Sequence, residues 1–180
     1  RSGSVTGVQT CALPICHDPD AVFTEIRRVL QPGGLLTFAT LGPDTLRELR
    51  EGWREIDPHP HVHRFIDMHD LGDALVRAGL AEPVMDTERL TVTYPHLDAL
   101  MTELVASGSS NLAHGRPRGL TPKAHLATLR QSLRPATEQG VLPVSVEVVY
   151  GHAWAGELRA RPRGGGEVRV PVSALTRTKR

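Results

Sequence analysis

The sequence predicts an α/β fold in which helices cover a mostly parallel sheet. Residues 35–41 form a short apolar run of strand length, and segments with apolar residues at helical spacing lie on both sides of it. A strand that is preceded and followed by helices is half of a β-α-β arrangement, the unit from which parallel sheets are built. Near the end of the chain, residues 142–154 alternate and are rich in Val, which predicts a further strand.

The helix before the first strand is predicted from its apolar spacing. The apolar positions are Val22, Ile26, Val29 and Leu30. Glu25, Arg27 and Arg28 fall on the opposite face, which is expected to meet water. Residues 32–34, Pro-Gly-Gly, end the helix because proline cannot continue it and glycine tolerates a positive φ. The run 35–41 that follows is expected to be a strand buried on both faces.

The later elements follow from the same signals. Helices are predicted over residues 44–57, 67–79 and 97–105, and from a Thr121 cap to about Glu138. Strands are predicted over 84–94 and 142–154, and a short strand-like piece lies in EVRVPVSAL near the C-terminus. In the helix over 44–57, one apolar stripe is formed by Leu46, Leu49, Trp53 and Ile56.

Composition excludes several classes of protein. The chain has 180 residues and a formal net charge of +1, so charge does not predict a nucleic-acid or other polyanion partner. No apolar run reaches the roughly 18 residues of a membrane span, and there is no signal-peptide pattern. Two cysteines do not make a disulfide framework. These features predict a cytoplasmic protein with no membrane partner.

Five segments, in order, resemble a known family. The first, RRVLQPGGLLTFAT at residues 27–40, resembles the fifth-strand region of class I S-adenosylmethionine-dependent methyltransferases. The others are LGPDTLRELR, HVHRFIDMHDLGDALVRAGL, PVMDTERLTVTYP and EVVYGHAWA. Together they resemble the malonyl-[acyl-carrier protein] O-methyltransferases of biotin synthesis, from about Cys16 to about Leu175. The resemblance implies the C-terminal half of a Rossmann-like sheet with an inserted helical substrate region.

The resemblance also implies domain limits. Residues 1–15 do not match the family and are expected to be a non-native leader, followed by the methyltransferase part at 16–175 and a basic tail at 176–180. The family's first three to four strands have no counterpart, so the run 35–41 is expected to border an open sheet edge. The family binds S-adenosylmethionine through an acidic-Gly-x-Gly-x-Gly loop, which is absent. The only glycine run, 164–166, lacks the strand-to-helix context of such a loop.

The segment HVHRF, residues 61–65, is the first candidate site. A similar segment of the family, with Asn where His63 stands here, lies beside the acyl substrate. The resemblance implies that Arg64, His61, His63 and Phe65 contact substrate. A guanidinium can hold the malonyl carboxylate through two parallel hydrogen bonds, and an ionised carboxylate needs no general base to accept a methyl group. The alternative is that Arg64 forms a surface ion pair with Asp67 or Asp70.

Histidine density suggests a second candidate, a metal site. The residues concerned are His59, His61, His63 and His69, with Asp67 and Asp70. Imidazole and carboxylate suit a divalent transition metal, but this segment has two prolines and no helix or turn to fix the ligands. A solvated polar loop is therefore the favoured interpretation. Cys11, Cys16 and His17 are a still weaker set.

A basic loop is the third candidate. Arg116, Arg118 and Lys123, with His114, lie around GRPRGLTPK, where they are suited to docking an acidic carrier protein. Simple solvation of these charges is the alternative. The resemblance as a whole implies methyl transfer from S-adenosylmethionine to malonyl-acyl-carrier protein by a monomer, with this chain alone inactive. Two alternatives remain: another small-molecule methyltransferase of the same class, such as a carboxyl or quinone methyltransferase, and a non-catalytic acyl-carrier-binding fragment.

Overall fold

The computed structural model describes residues 18–109, 111, 113, 115–133 and 140–156, together with the backbone of 7–10. One or two helices separate successive strands along these residues. Their order is β1 (Gly7–Thr10), α1 (Pro19–Val29), β2 (Leu35–Leu41), α2 (Arg47–Arg54), α3 (Met68–Arg77), β3 (Leu80–Tyr94), α4 (Leu97–Ala106), α5 (Lys123–Ser132) and β4 (Leu142–Ala155). Among the described residues, the longest helix is α1 with 11 residues, which is too short to span a membrane. EVRVPVSAL and His114 lie outside the described residues.

The described strands form one sheet in the order β1-β2-β4-β3. β1 pairs with β2 in parallel, whereas β4 is antiparallel to both of its neighbours, β2 and β3. β1, β2 and β3 therefore run in one direction, and β4 runs against them between β2 and β3. The predicted α/β class is confirmed, but the expectation of a mostly parallel sheet is wrong. Because β4 lies antiparallel between β2 and β3, two of the three pairings among the described strands are antiparallel.

The edge of β2 differs from expectation. Residues 35–41 were expected to border an open edge, but Gly7–Thr10 pairs in register with residues 35–38. The physical reason is that an extended segment satisfies the free backbone groups of a sheet edge whatever its side chains are. The non-native origin of residues 1–15 stays a prediction.

α1 and α3 cover one face of the sheet. Their core includes Phe23, Leu36 and Phe38, and the Phe23 and Phe38 rings lie 5.4 Å apart. Two expectations for α1 are wrong: Val29 is half exposed, and Arg27 is buried, where it donates to the carbonyl of Gly156. The aliphatic part of an arginine packs well on apolar surface when its head group finds an oxygen acceptor.

The two faces of β2 are not equally buried, contrary to expectation. Leu36, Phe38 and Thr40 are buried, whereas the residues between them are half-buried or exposed. The face covered by α1 and α3 is the buried one.

A second core lies between α2, α4, α5 and the start of β4. It contains the predicted apolar stripe of α2, with Leu49 and Trp53 buried, and it also includes Leu129 and Leu142. α2 is shorter than predicted because Leu46, immediately before it, has a left-handed φ of 55°. α5 begins at Lys123 after Pro122, which provides no side-chain cap, so the predicted Thr121 cap is wrong.

Candidate functional site

The candidate site lies where the chain leaves the carboxyl end of β2. In open α/β sheets, ligands bind in the crevice outside the carboxyl ends of the parallel strands. The chain passes from Leu41 through a loop, residues 42–46, into α2, and then through the extended segment 58–66. The predicted substrate segment 61–65 is part of this extended stretch. The predicted substrate segment therefore follows the carboxyl end of β2 by way of the loop and α2.

The loop over residues 42–46 is fixed to β4 by hydrogen bonds. The Gly42 amide donates to the Glu147 carbonyl at 2.9 Å, and the Leu46 amide donates to the Ser145 carbonyl at 2.8 Å. The buried Glu147 carboxylate accepts from the Asp44 amide at 2.9 Å. A Cβ at position 42 would overlap the Glu147 side chain, so glycine is required there by close approach. These contacts give the carboxyl end of β2 a defined shape.

Arg50 joins this loop to the predicted substrate segment. Its guanidinium donates to the Pro43 carbonyl at 2.9 Å and to the Thr45 carbonyl at 3.0 Å. The same group donates to the main-chain carbonyl of His63 at 3.3 Å. One side chain of α2 therefore holds the backbone next to Arg64 against the end of β2.

The side chain of His61 is held within the protein. Its ring stacks on Trp53 with centroids 3.7 Å apart and an angle of 4° between the planes. Nε2 lies 2.9 Å from both carboxylate oxygens of Asp57, and it carries the hydrogen because an ionised carboxylate only accepts. His125 of α5 lies 3.8 Å from the same carboxylate.

The electrostatics of Asp57 follow from these contacts. Burial raises the pKa of Asp57, but hydrogen bonds from the His59 amide and the His61 ring outweigh it, and the net pKa lies below the ordinary 3.8. Asp57 is therefore an ionised anchor for His61. The structure gives His61 a packing and hydrogen-bonding partner set, and its predicted contact with substrate stays a prediction.

Arg64 has an exposed side chain at the surface of the segment. Among the described residues, no carboxylate lies within the 4.0 Å of an ion pair with it. Asp67, the alternative partner, instead caps α3 and contacts the His69 ring at 2.7 Å. Phe65 is half-buried beside Arg64, and His63 is half-buried with its carbonyl on Arg50.

The histidines do not converge on one point. His61 is held by Asp57 and His69 by Asp67, which are carboxylates on different elements. Within the described part of the chain, no group of three metal-ligating side chains is placed to hold an ion. Cys11, Cys16 and His17 lie outside that part.

The basic loop lies beside the substrate segment. Asn111 Nδ2 donates to the Pro60 carbonyl at 2.8 Å, and a Cβ added at Gly115 would lie 3.9 Å from Cγ of Pro60. The predicted docking residues Arg116, Arg118 and Lys123 are all exposed. Two candidates that are about 50 residues apart in sequence are therefore neighbours in the fold.

Sequence reasoning missed Arg50, Asp57 and Asn111. Arg50 and Asp57 lie on or just after a strongly amphipathic helix, where a charged residue is normally assigned to solvent. A partial signal exists for Asp57, because it precedes His61 by four residues and follows Trp53 by four. Nothing in the local sequence marks Asn111, whose partner is a backbone carbonyl 51 residues away.

In sequence, the chain is similar to O-methyltransferases. It is 50% identical over 163 residues to the malonyl-[acyl-carrier protein] O-methyltransferase of Laribacter hongkongensis, an alignment that covers 90% of this chain and 54% of that protein. It is 46% identical over 159 residues to the enzyme of the same name from Gallionella capsiferriformans, covering 88% of this chain and 55% of that one. The resemblance to malonyl-[acyl-carrier protein] O-methyltransferases that the sequence motifs predict is confirmed.

The chain spans about half the length of the relatives that it matches. This share agrees with the predicted resemblance to one part of these enzymes. No protein-family profile matches the chain.

Solved structures give partial matches. The YcgJ protein from Bacillus subtilis matches with a TM-score of 0.49 and 11% identity, covering 84% of this chain and 64% of that one. A putative methyltransferase from Bacillus halodurans matches with a TM-score of 0.49 and 14% identity, covering 83% of this chain and 63% of the other. These matches add nothing to the fold assignment, which depends on the sheet and helices described above.

Proposed function

We propose that the full-length protein containing this chain transfers a methyl group to the free carboxylate of malonyl-acyl-carrier protein. This chain contributes the part that receives the malonyl group. The named relatives carry out this reaction according to their names, and they share about half of their length with the chain. The product is the malonyl methyl ester, whose capped carboxylate lets chain elongation toward the pimeloyl chain of biotin treat it as an apolar acyl group.

The single observation that carries this proposal is the placement of Arg64. It is exposed and has no acidic partner within 4.0 Å among the described residues, while Arg50 holds the adjacent backbone at the carboxyl end of β2. A guanidinium presented in this way is suited to a bidentate bond with a carboxylate. Because the malonyl carboxylate is ionised near neutral pH, catalysis at this site consists of binding it and aiming one oxygen.

The proposed methyl donor is S-adenosylmethionine, which supplies an electrophilic methyl group when bound. The sequence of this chain contains no acidic-Gly-x-Gly-x-Gly loop of the kind that holds this donor. We therefore assign donor binding to the half of the relatives that this chain does not match. The residues described here act on the acyl substrate alone, and the chain by itself is expected to be inactive.

The proposed partner is the acyl-carrier protein, which would dock on the basic loop. Arg116 and Arg118 are exposed a few residues after Asn111, which donates to the Pro60 carbonyl next to the substrate segment, and the exposed Lys123 begins α5. Carrier proteins are acidic, so complementary charge would steer the carrier toward the site. A cytoplasmic location and a monomeric intact enzyme stay predictions.

The proposal is tested by replacing Arg64 in the full-length protein. Arg64→Ala should lower kcat/KM for malonyl-acyl-carrier protein about ten- to a hundredfold, because a charge-assisted hydrogen bond contributes about 1.5–3 kcal/mol. Arg64→Lys should not restore activity, since lysine keeps the charge but lacks the planar fork. Affinity for S-adenosylmethionine, measured by calorimetry, should stay unchanged in both variants.

Arg28→Ala is the matched control. Arg28 is an exposed arginine of α1 that pairs only with Glu25 on its own helix among the described residues. It should turn over at the parent rate. If the Arg64 variants fold and also turn over at the parent rate, Arg64 does not bind the substrate.

A further inference from the structure

Arg50 is partly buried, and its guanidinium donates hydrogen bonds to main-chain carbonyls of two separate pieces of chain. Burial is the largest cause of a lowered pKa for Arg50, and the charge of Asp44 only partly offsets it. No carboxylate forms an ion pair with Arg50 among the described residues. Its guanidinium is instead satisfied by three main-chain carbonyls, and its buried Nε has no hydrogen-bond partner in the described structure.

The three carbonyls come from two separate pieces of chain. Pro43 and Thr45 belong to the loop after β2, and that loop is fixed to β4 by the contacts of Glu147. His63 belongs to the extended segment, 13 residues beyond Arg50. Only a side chain with several donors in a fixed plane can hold carbonyls from both pieces simultaneously. The bond at His63 is made to the backbone, so it does not depend on which side chain stands at that position.

The charge of Arg64 acts on Arg50. The pKa of Arg50 is shifted most by burial, next by the charge of Asp44 and then by the charge of Arg64, which lowers it. The two guanidinium groups are thus within electrostatic reach and repel each other. An anion bound by Arg64 would relieve this repulsion, whereas a neutral ligand would not.

We propose that Arg50 is a positioning residue that fixes the backbone at His63 and thereby aims Arg64 at the malonyl carboxylate. This inference rests on the proposed function, because it assigns Arg50 an effect that passes through Arg64. Arg50 does not touch the substrate in this scheme. Its contribution is the placement of the arginine that does, and a displacement of about 1 Å at such a group can cost up to a hundredfold in rate.

A double-mutant cycle in the full-length protein tests the inference. The variants are Arg50→Met, Arg64→Ala and the double variant, each assayed for kcat and KM with malonyl-acyl-carrier protein. Alone, Arg50→Met should lower kcat/KM about tenfold. In the Arg64→Ala background, the same change should cost less than about twofold, because there is no arginine left to aim.

Two measurements separate positioning from general damage. Arg54 is an exposed arginine one turn further along α2, and the control variant Arg54→Met should leave kcat/KM unchanged. The affinity for S-adenosylmethionine should also be unchanged in Arg50→Met. If Arg50→Met does not fold, the cycle is run with Arg50→Lys, which keeps the charge but cannot reach both pieces of chain with fixed geometry.

The outcomes separate the inference from the proposed function. If Arg64→Ala is impaired and the effects of the two changes are additive, Arg50 does not act through Arg64, and only the inference is overturned. If Arg64→Ala retains full activity on malonyl-acyl-carrier protein, the proposed reaction stands, but Arg64 does not bind the substrate. The inference that Arg50 positions Arg64 is then overturned as well. If the parent protein does not methylate malonyl-acyl-carrier protein at all, the proposed function itself is wrong. A non-additive cycle with unchanged donor affinity supports the inference.

Discussion

At the scale of single residues, Asp57 organises the start of the substrate segment. Its carboxylate accepts hydrogen bonds from His61 Nε2 at 2.9 Å and from the His59 amide at 2.8 Å. The Trp53 ring stacks on the face of the same imidazole. His125 brings α5 to the same carboxylate at 3.8 Å. In such a cluster each polar group supplies a hydrogen-bond or charge partner to another group, so the side chains fix one another's positions. Without Asp57, His61 would keep its stacking but lose its anchor.

Replacement of Asp57 should therefore have a pH-dependent effect on stability. The pKa of Asp57 is lowered in the folded chain, so its contribution is present above the unfolded value of 3.8 and is lost as the pH falls through the folded value. At about pH 5, Asp57→Asn should lower the free energy of unfolding by about 1 kcal/mol. At about pH 3, the difference in free energy of unfolding between the parent and Asp57→Asn should shrink. Histidines of the unfolded chain are protonated at both pH values, so their unfolded state does not change between the two measurements.

Urea unfolding of the chain at the two pH values measures this difference. Glu51→Gln, an exposed carboxyl on α2, is the control and should change stability little at either pH. An Asp57→Asn effect of equal size at both pH values would mean that the charge of Asp57 contributes nothing.

The sequence predicts individual side chains only where burial decides them. The stripe Leu49 and Trp53 is recognisable because apolar residues recur at helical spacing, and the structure buries both. Arg27 and Arg50 could not be recognised, because their partners are backbone carbonyls supplied by distant or irregular parts of the chain. For the predicted substrate segment, the family resemblance predicts a substrate contact for Arg64, but spacing alone does not separate Arg64 from a surface arginine.

At the scale of elements, local signals predict the existence of helices and strands better than their ends. β2 occupies residues 35–41 as predicted, since turn residues bound it on both sides. β3 begins four residues earlier than predicted, at Leu80, because pairing with β4 extends the strand across a bulge at Glu82, where φ is 51°. Cross-strand pairing is a tertiary contact, and a single sequence does not reveal it.

The packing of β4 against β2 depends on a glycine. Gly151 lies opposite Phe38 in the antiparallel register, and a Cβ there would overlap the Phe38 ring. Gly151→Ala should therefore lower the free energy of unfolding by about 1–3 kcal/mol, the usual cost of overpacking a filled core. Denaturant unfolding of the chain measures this cost.

Gly119→Ala serves as the comparison for that experiment. A Cβ at Gly119 would have no heavy atom within 4 Å, so this variant should unfold at nearly the parent denaturant concentration. If Gly151→Ala is as stable as Gly119→Ala, the Phe38 ring has room to move, and the sheet does not depend on glycine at this position.

At the scale of the whole molecule, two cores divide the chain by role. The core of α1 and α3 lies on one face of the sheet and includes Phe23 and Leu75, whereas the core of α2, α4 and α5 includes Trp53 and Leu129. The proposed substrate segment begins on the second core, since Val62 is one of its buried members. The helices α2, α4 and α5 thus pack around the start of the segment that we propose to receive the substrate, while the first core packs on the sheet itself.

The edge of this sheet provides a test of the molecule as a whole. Gly7–Thr10 pairs in parallel with residues 35–38, which covers backbone groups of β2 that would otherwise be free to pair with another chain. Removal of residues 1–10 should therefore promote self-association, because an uncovered apolar strand is a template for edge-to-edge pairing.

The measurement is size-exclusion chromatography with light scattering over a range of protein concentrations. A chain shortened by ten residues at the other end, without residues 171–180, controls for the loss of length. The deletion of residues 1–10 should raise the mass-average molecular weight with concentration more steeply than this control does. Equal behaviour of the two shortened chains would show that residues 7–10 do not protect the edge of β2.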